Sequence, residues 1–160
     1  VNTIKIENGK LTGYNTDHYG FKQSLKPHLK PHHKKALILG TGGASKAVAF
    51  ALKKLGIHFE YVSRTQSSTV KFTYESLALN GVQDYQIIIN CTPLGTFPDT
   101  HKCPSIPFNE ITSNHLLYDL IYNPEETLFL KQGKEKNATI INGLNMLRIQ
   151  AEKSWEIWNS

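Results

Sequence analysis

Residues Ala36–Gly56 read ALILGTGGASKAVAFALKKLG, and this stretch decides the fold. A short apolar run is followed by a glycine cluster and then by apolar residues at helical spacing, which predicts a strand, a tight turn and a helix. The apolar residues of the helix form one continuous face: Ala44, Ala47, Val48, Ala51, Leu52 and Leu55. Gly56 is suited to the position that ends such a helix.

The glycine turn indicates a site for phosphate. The first N–H groups of a helix are unpaired and together carry about half a positive charge, which attracts anions. Glycines let the pyrophosphate of a dinucleotide approach the backbone, and Ser45 occupies the third small position of the G-x-G-x-x-G/A pattern. A tight turn without a ligand is the alternative, whereas a Walker A loop is excluded because no Gly-Lys-Ser/Thr follows. The predicted cofactor contacts are Gly40, Thr41, Gly42, Gly43 and Ala44.

The next strand distinguishes two dinucleotides. Residues 57–63 are rich in β-formers and lead into Ser63-Arg64-Thr65, at about the distance where this kind of fold contacts the adenine ribose. A site for NAD favours a carboxylate there, whereas an arginine binds a 2′-phosphate through charge-assisted hydrogen bonds. Ser63, Arg64 and Thr65 therefore favour NADP, the alternative being that Arg64 only solvates the end of a strand.

Composition narrows the class of protein. A chain of 160 residues has the usual length of a single domain. Its formal charge of +5 comes from scattered lysines without interleaved aromatic side chains, so we predict no nucleic-acid partner. No apolar run is long enough to cross a membrane. Cys91 and Cys103 lack metal-like spacing, so we predict free thiols, no metal and a cytoplasmic location. Because Val1 is not an initiator methionine, we expect a piece of a longer protein.

The first 25 residues are predicted to form a hairpin and a linker helix. Asn8-Gly9 lies between two β-prone stretches and is a strong hairpin signal. Asp17 or Thr16 is placed to cap a helix that runs to Pro27, and proline-interrupted residues 26–35 lead into the central strand. We therefore divide the chain into residues 1–25 and a domain over residues 26–160.

Strands and helices alternate through the rest of the chain. Further strands are predicted over residues 85–90, 116–121 and 139–142, and helices over residues 74–80, over residues 127–136 with a break near Gly133, and from Leu144 onward. The last helix has an apolar stripe bordered by Gln150: Leu144, Leu147, Ala151, Trp155 and Trp158. The fold class is therefore α/β, a Rossmann-like three-layer domain with a mostly parallel sheet, preceded by a short β-hairpin and linker helix.

Separate motifs, in order and over nearly the whole chain, resemble one family, the shikimate dehydrogenases. The glycine loop and Ser63-Arg64-Thr65 are similar to the cofactor motifs of that family. The other motifs are Gly13-Tyr14-Asn15-Thr16-Asp17, Cys91-Thr92-Pro93-Leu94-Gly95, Asp119-Leu120-Ile121-Tyr122-Asn123-Pro124 and Gly143-Leu144-x-Met146-Leu147-x-x-Gln150-Ala151.

The resemblance implies a reaction and residue roles. The family moves a hydride between NADPH and 3-dehydroshikimate, giving shikimate for aromatic amino-acid synthesis. By resemblance Asp17 is the catalytic carboxylate, which pairs with a lysine and holds substrate hydroxyls. Further substrate contacts are implied for Asn2, Tyr122 and Gln150, and further cofactor contacts for Thr92, Gly143 and Met146.

The sequence also departs from the family. The amino-terminal substrate domain, with its serine pair and catalytic lysine, has no counterpart here, so we expect negligible activity from this polypeptide alone. Ser67 and Ser68 stand where a second basic residue often helps to hold the 2′-phosphate, so the preference for NADP rests mainly on Arg64, with Lys71 as an alternative second basic residue. The alternatives are an NAD-dependent quinate/shikimate dehydrogenase and a dinucleotide-binding module without catalysis. We also expect Trp155 and Trp158 to be exposed without the missing domain, and the polypeptide to self-associate as a result.

Overall fold

A parallel sheet of six strands forms the centre of the molecule, whose computed structural model describes residues 1–160. The sheet strands are β3 (Lys35–Leu39), β4 (His58–Ser63), β5 (Val70–Thr73), β6 (Ile87–Asn90), β7 (Leu116–Asp119) and β8 (Thr139–Ile141). Their spatial order is β5-β4-β3-β6-β7-β8, so the order reverses between β3 and β6. Ligands of open α/β sheets bind at such a reversal, beyond the carboxyl ends of the strands.

Helices cover both faces of the sheet, which confirms the three-layer prediction. The helices are α1 (Asp17–Leu25), α2 (Gly43–Lys54), α3 (Tyr74–Asn80), α4 (Leu128–Glu135) and α5 (Leu144–Asn159). One apolar cluster joins the sheet to α1, α2 and α5 through residues such as Phe21, Val48 and Met146. A second cluster on the opposite face includes Leu77 of α3 and Phe129 of α4. No helix combines the length and the hydropathy that a membrane-spanning segment needs.

The amino-terminal segment forms the predicted hairpin. Strands β1 (Thr3–Glu7) and β2 (Lys10–Tyr14) pair antiparallel, and Asn8 and Gly9 both have positive φ, at 51° and 77°. This is the conformation that a two-residue hairpin turn requires. Gly56 also fulfils its prediction: it follows α2 with φ of +72°, and its N–H donates to the Lys53 carbonyl.

Two local predictions are wrong, and one strand was not predicted. Strand β5 was not predicted, because it has only four residues and no clear alternation. Gly133 does not break α4, since it is buried against Leu117, and an added Cβ would lie 2.6 Å from Leu117 Cδ2. The side chains of Asp17 and Thr16 do not cap α1. The α5 stripe is mostly exposed, as expected for Trp155 and Trp158, because α5 buries Met146 and Ser154 instead.

The connection from β4 to β5 is unusually short. Parallel strands are ordinarily joined by a crossover of a dozen or more residues that includes a helix. Here residues 64–69 make the connection without a helix. It is long enough because β5 begins level with Tyr61, near the carboxyl end of β4, and pairs only with that end. As a result, Thr73 lies opposite Ser63, and the start of α3 follows directly beside the end of β4.

Candidate functional site

Two clefts open at the carboxyl edge of the sheet, one on each side of the start of α2. The first, called here the Arg64 cleft, has a volume of about 340 Å³. Its walls come from the turn after β3, the end of β4, the start of α3 and the loop after β6. The lining residues are Gly40, Thr41, Gly42, Ser63, Arg64, Tyr74, Cys91, Thr92, Pro93 and Leu94.

The glycine turn contains two kinds of glycine. Gly40 has φ of +99°, and an added Cβ would lie 3.1 Å from Thr92 Cγ2, so both its conformation and its packing require glycine. Gly42 and Gly43 have nothing within 4 Å of an added Cβ. The space beside these two glycines at the start of α2 is therefore open to a ligand. Ser45 is fully buried beneath the turn, and its hydroxyl donates to the Gly42 carbonyl at 2.6 Å.

Arg64 is exposed at the end of β4 and takes part in none of the five ion pairs of the protein. The aromatic ring of Tyr74 lines the same end of the cleft. Burial raises the pKa of the Tyr74 phenol to about 12, and the positive charge of Arg64 partly opposes this shift. A guanidinium without an acidic partner is suited to bind a phosphate brought by a ligand.

The loop after β6 is held by a buried polar network. Asn90 Oδ1 accepts from the N–H of Thr92 at 3.0 Å and from its hydroxyl at 2.6 Å. Asn90 Nδ2 donates to Asp119 Oδ1 at 3.1 Å, and the Thr127 hydroxyl donates to Asp119 Oδ2 at 2.7 Å. Burial raises the pKa of Asp119 to about 6, although these donors favour the carboxylate. The network thus joins the ends of β6 and β7 and fixes the Thr92 wall of the cleft.

The second cleft, called here the Asp17 cleft, has a volume of about 320 Å³ and lies on the other side of the start of α2. It is formed by segments that are far apart in the sequence: the residues before β1, the start of α1, the loop after β7 and the first turns of α5. The lining residues are Asn2, Asp17, Ala44, Leu120, Tyr122, Gly143, Met146, Leu147 and Gln150.

Asn2 is the centre of the hydrogen bonds in this cleft. Its amide Nδ2 donates to Asp17 Oδ1 at 2.9 Å and to Thr16 Oγ1 at 3.0 Å, while its Oδ1 accepts from the Thr16 N–H at 2.8 Å. The Thr16 hydroxyl lies 3.1 Å from both Gln150 Oε1 and Ser154 Oγ. Asn2 therefore fixes the position of the Asp17 carboxylate, and Thr16 links α1 to α5.

Two glycines allow the backbone to close around this cleft. An added Cβ on Gly143 would lie 1.9 Å from the Leu120 carbonyl oxygen, and one on Gly20 would lie 2.6 Å from the Met146 carbonyl oxygen. Both distances are far below van der Waals contact, so Gly143 brings the start of α5 onto the loop after β7, and Gly20 brings α1 onto α5. These contacts set the spacing between Asp17 and Gln150.

The structure gathers most of the predicted site residues into these two clefts. Gly43 and Thr65 line neither cleft, although each directly neighbours a lining residue. Sequence reasoning did not identify Tyr74 or Gly20, and it assigned no role to Asp119 although it quoted the motif that contains it. No group of three or more His, Cys, Asp or Glu side chains is arranged to hold a metal ion.

Comparison with known proteins shows what the chain is similar to. No family model matches the chain. The chain is 44% identical over 172 residues to the shikimate dehydrogenase (NADP(+)) of Methanococcus maripaludis, covering 99% of this chain and 62% of that protein.

Two solved structures extend the comparison. The shikimate 5-dehydrogenase of Thermus thermophilus in complex with NADP(H) and shikimate is 30% identical, with a TM-score of 0.83 over 97% of this chain and 60% of that one. The 5-ketofructose reductase of a Gluconobacter strain is 33% identical, with a TM-score of 0.80 over 97% of this chain and 61% of that one. The chain thus spans about three fifths of the length of the relatives it matches, and over nearly all of its own length it is similar in sequence and fold to shikimate dehydrogenases.

Proposed function

We propose that this chain is the cofactor-binding part of an NADP-dependent shikimate dehydrogenase. The reaction is the reduction of 3-dehydroshikimate to shikimate in aromatic amino-acid biosynthesis, for which bound NADPH supplies the hydride. The observation that carries the proposal is that both clefts adjoin the start of α2. Gly40 and Gly42 line the Arg64 cleft, and Ala44, two residues on, lines the Asp17 cleft.

The residues of the Arg64 cleft fit the phosphates of NADP. Gly42 and Gly43 leave the helix N-terminus open to a pyrophosphate, which its free N–H groups and dipole attract. Arg64 has no acidic partner in the protein and is suited to a 2′-phosphate. Gly143 and Met146, which line the other cleft, are the residues we propose to lie beside the nicotinamide.

The residues of the Asp17 cleft fit a polyhydroxylated substrate. The Asp17 carboxylate, oriented by Asn2, accepts hydrogen bonds from hydroxyls. The Gln150 carbonyl oxygen already accepts from Thr16, while its amide nitrogen donates to no group of the protein and is left to donate to a substrate oxygen. Tyr122 is half exposed at the rim of the same cleft. A module that only bound a dinucleotide would not need this arrangement.

A general acid is the component that this cleft lacks. Neither lysine nor arginine lines it, although reduction of a ketone requires a proton at the carbonyl oxygen. We infer that the remaining two fifths or so of the length of the relatives supplies this group, and that this chain alone has negligible activity. Residues 1–25 then form the boundary to that partner domain.

An exposed apolar surface adjoins the same boundary. It is formed by the hairpin and the last turns of α5: Ile4, Ile6, Leu11, Trp155 and Trp158. Large apolar patches of this kind commonly mark interaction sites. We propose that the partner domain covers this surface in the whole protein.

Calorimetric titration with NADP⁺ and NAD⁺ at fixed salt tests the proposal. We expect NADP⁺ to bind at least about tenfold more tightly, and Arg64→Gln to remove most of that preference while leaving NAD⁺ binding unchanged. Arg148→Gln is the control, because Arg148 is exposed on α5 and lines neither cleft. Equal or tighter binding of NAD⁺ would contradict the proposed cofactor and favour an NAD-dependent enzyme. Absence of binding to both nucleotides would overturn the proposed function for this chain.

A further inference from the structure

Tyr74 is the one aromatic residue that lines the Arg64 cleft, and family resemblance gave it no role. It follows Thr73, which pairs with Ser63, so Tyr74 and Arg64 come directly after paired residues of adjacent strands. The short connection of residues 64–69 produces this arrangement, because it brings β5 and the start of α3 directly beside the end of β4.

The hydroxyl of Tyr74 is not used by the protein. Every buried side-chain nitrogen and oxygen has a hydrogen-bond partner, whereas the Tyr74 hydroxyl makes no hydrogen bond. The hydroxyl is therefore not sealed in the interior, while the ring packs against the apolar cluster on that face of the sheet. The packed ring therefore holds at the cleft a hydroxyl that is free to donate to a ligand.

The protonation state of Tyr74 makes it a donor. Burial raises the pKa of its phenol to about 12, so the hydroxyl keeps its proton at neutral pH. Arg64 is the only positively charged residue of the connection over residues 64–69, because Ser67 and Ser68 are neutral. The Tyr74 hydroxyl thus offers a second hydrogen-bond donor to an anion that binds Arg64.

We propose that the Tyr74 hydroxyl is a second recognition group for the adenosine 2′-phosphate and acts together with Arg64. Tyr74 is therefore a determinant of cofactor specificity, and the inference rests on the proposed function. A hydrogen bond from a neutral donor to a charged phosphate contributes more than one between neutral groups, and its loss corresponds to about tenfold in affinity.

Titration of the chain and of Tyr74→Phe with NADP⁺ and with NAD⁺ tests the proposal. Tyr74→Phe keeps the ring, and we expect it to weaken NADP⁺ binding about tenfold while NAD⁺ binding changes less than twofold. Tyr85→Phe is the matched control, because Tyr85 packs against the same cluster but does not line the cleft. Its ratio of the two affinities is expected to equal that of the unaltered chain.

A second variant keeps the test independent of folding. Tyr74→Leu also lacks the hydroxyl. The thermal midpoints of Tyr74→Leu and Tyr74→Phe are measured before titration to show that each variant is folded. Either folded variant is expected to show the same change in the ratio of NADP⁺ affinity to NAD⁺ affinity. Equal weakening of both nucleotides, or no weakening, overturns the role of Tyr74 while the proposed function stands. If the unaltered chain does not prefer NADP⁺, the proposed function fails and this inference fails with it.

Discussion

The two clefts lie at one edge of one sheet but are built in different ways. The Arg64 cleft is formed by segments that directly follow or precede strands of the sheet, and backbone geometry at Gly40 and Gly42 shapes it. The Asp17 cleft is formed by distant segments held together by the side chains of Asn2 and Thr16. A site at strand ends is thus set by local sequence, whereas a site between helices depends on packing elsewhere.

The difference extends to the role of glycine. In the Arg64 cleft, Gly42 faces open space, so its lack of a side chain leaves room for a ligand. In the Asp17 cleft, Gly143 lies directly against the backbone of Leu120, so its lack of a side chain is needed for the two segments to pack. The same residue type therefore has separable effects on binding and stability.

The largest expected effect comes from a pair of glycine substitutions. Gly143→Ala places a Cβ 1.9 Å from the Leu120 carbonyl oxygen, so we expect the free energy of unfolding to fall by about 4 kcal/mol. Gly42→Ala meets nothing within 4 Å, so stability should change by less than about 0.5 kcal/mol while NADP⁺ affinity falls. Urea unfolding and calorimetric titration of both variants provide the measurements. Destabilisation by Gly42→Ala, or an unchanged stability in Gly143→Ala, would contradict the assignment of one glycine to ligand binding and the other to packing.

A second prediction concerns pH and the buried network beneath the Arg64 cleft. Because burial raises the pKa of Asp119 from 3.8 to about 6, the folded protein keeps this proton at pH values where the unfolded chain has lost it. The stability that this group contributes is fully present below pH 3.8 and is lost as the pH rises through about 6. The shift corresponds to about 3 kcal/mol.

Asp119→Asn isolates this effect. Between pH 4 and pH 7, we expect the stability of the unaltered protein to fall relative to that of the variant by about 2 kcal/mol, as measured by urea unfolding. Asp84→Asn removes a carboxylate from the surface and serves as the control. A difference between Asp119→Asn and the unaltered protein that is constant over this range would mean that the carboxyl does not titrate there. The stability of the network that holds the Thr92 wall of the Arg64 cleft would then not depend on pH in this range.

The smallest expected effect tests the network of the Asp17 cleft. Asn2→Ala removes the acceptor for the Thr16 N–H and the donor to Asp17, so we expect a loss of about 1 kcal/mol in the free energy of unfolding. NADP⁺ affinity should change less than twofold if the two clefts are built independently. Asn114→Ala is the control, because the Asn114 side chain makes no hydrogen bond. Strong loss of nucleotide binding in Asn2→Ala would show that the clefts are coupled.

The sequence predicted best the features that depend on adjacent residues. The glycine turn, the hairpin at Asn8-Gly9 and the end of α2 at Gly56 follow from backbone conformations that few residues adopt, and the structure has all three. Individual strand ends were predicted within a few residues because buried parallel strands are continuous apolar runs. The Arg64 cleft lies at these strand ends, so its residues could be named in advance.

What sequence reasoning missed depends on contacts between distant segments. The role of Gly20 is visible only from the Met146 carbonyl that it touches, and Tyr74 reaches the cleft only because the connection before β5 is short. On α5, helical periodicity correctly gave an apolar stripe, but periodicity does not tell which side faces the core. Met146 and Ser154 are buried, and the stripe through Trp155 is exposed.

The position of the two tryptophans has a spectroscopic consequence. Trp155 and Trp158 are the only tryptophans of the chain, they lie in the last turns of α5, and the Trp158 indole N–H donates to the Ile4 carbonyl of the hairpin at 2.9 Å. Intrinsic tryptophan fluorescence therefore originates wholly from the contact between this helix and the hairpin. Since both rings are more than half exposed, a surface that settles over them removes water and shifts their emission to shorter wavelength. Tryptophan emission thus reports whether another surface covers the hairpin and the last turns of α5, and this signal arises away from the Arg64 cleft.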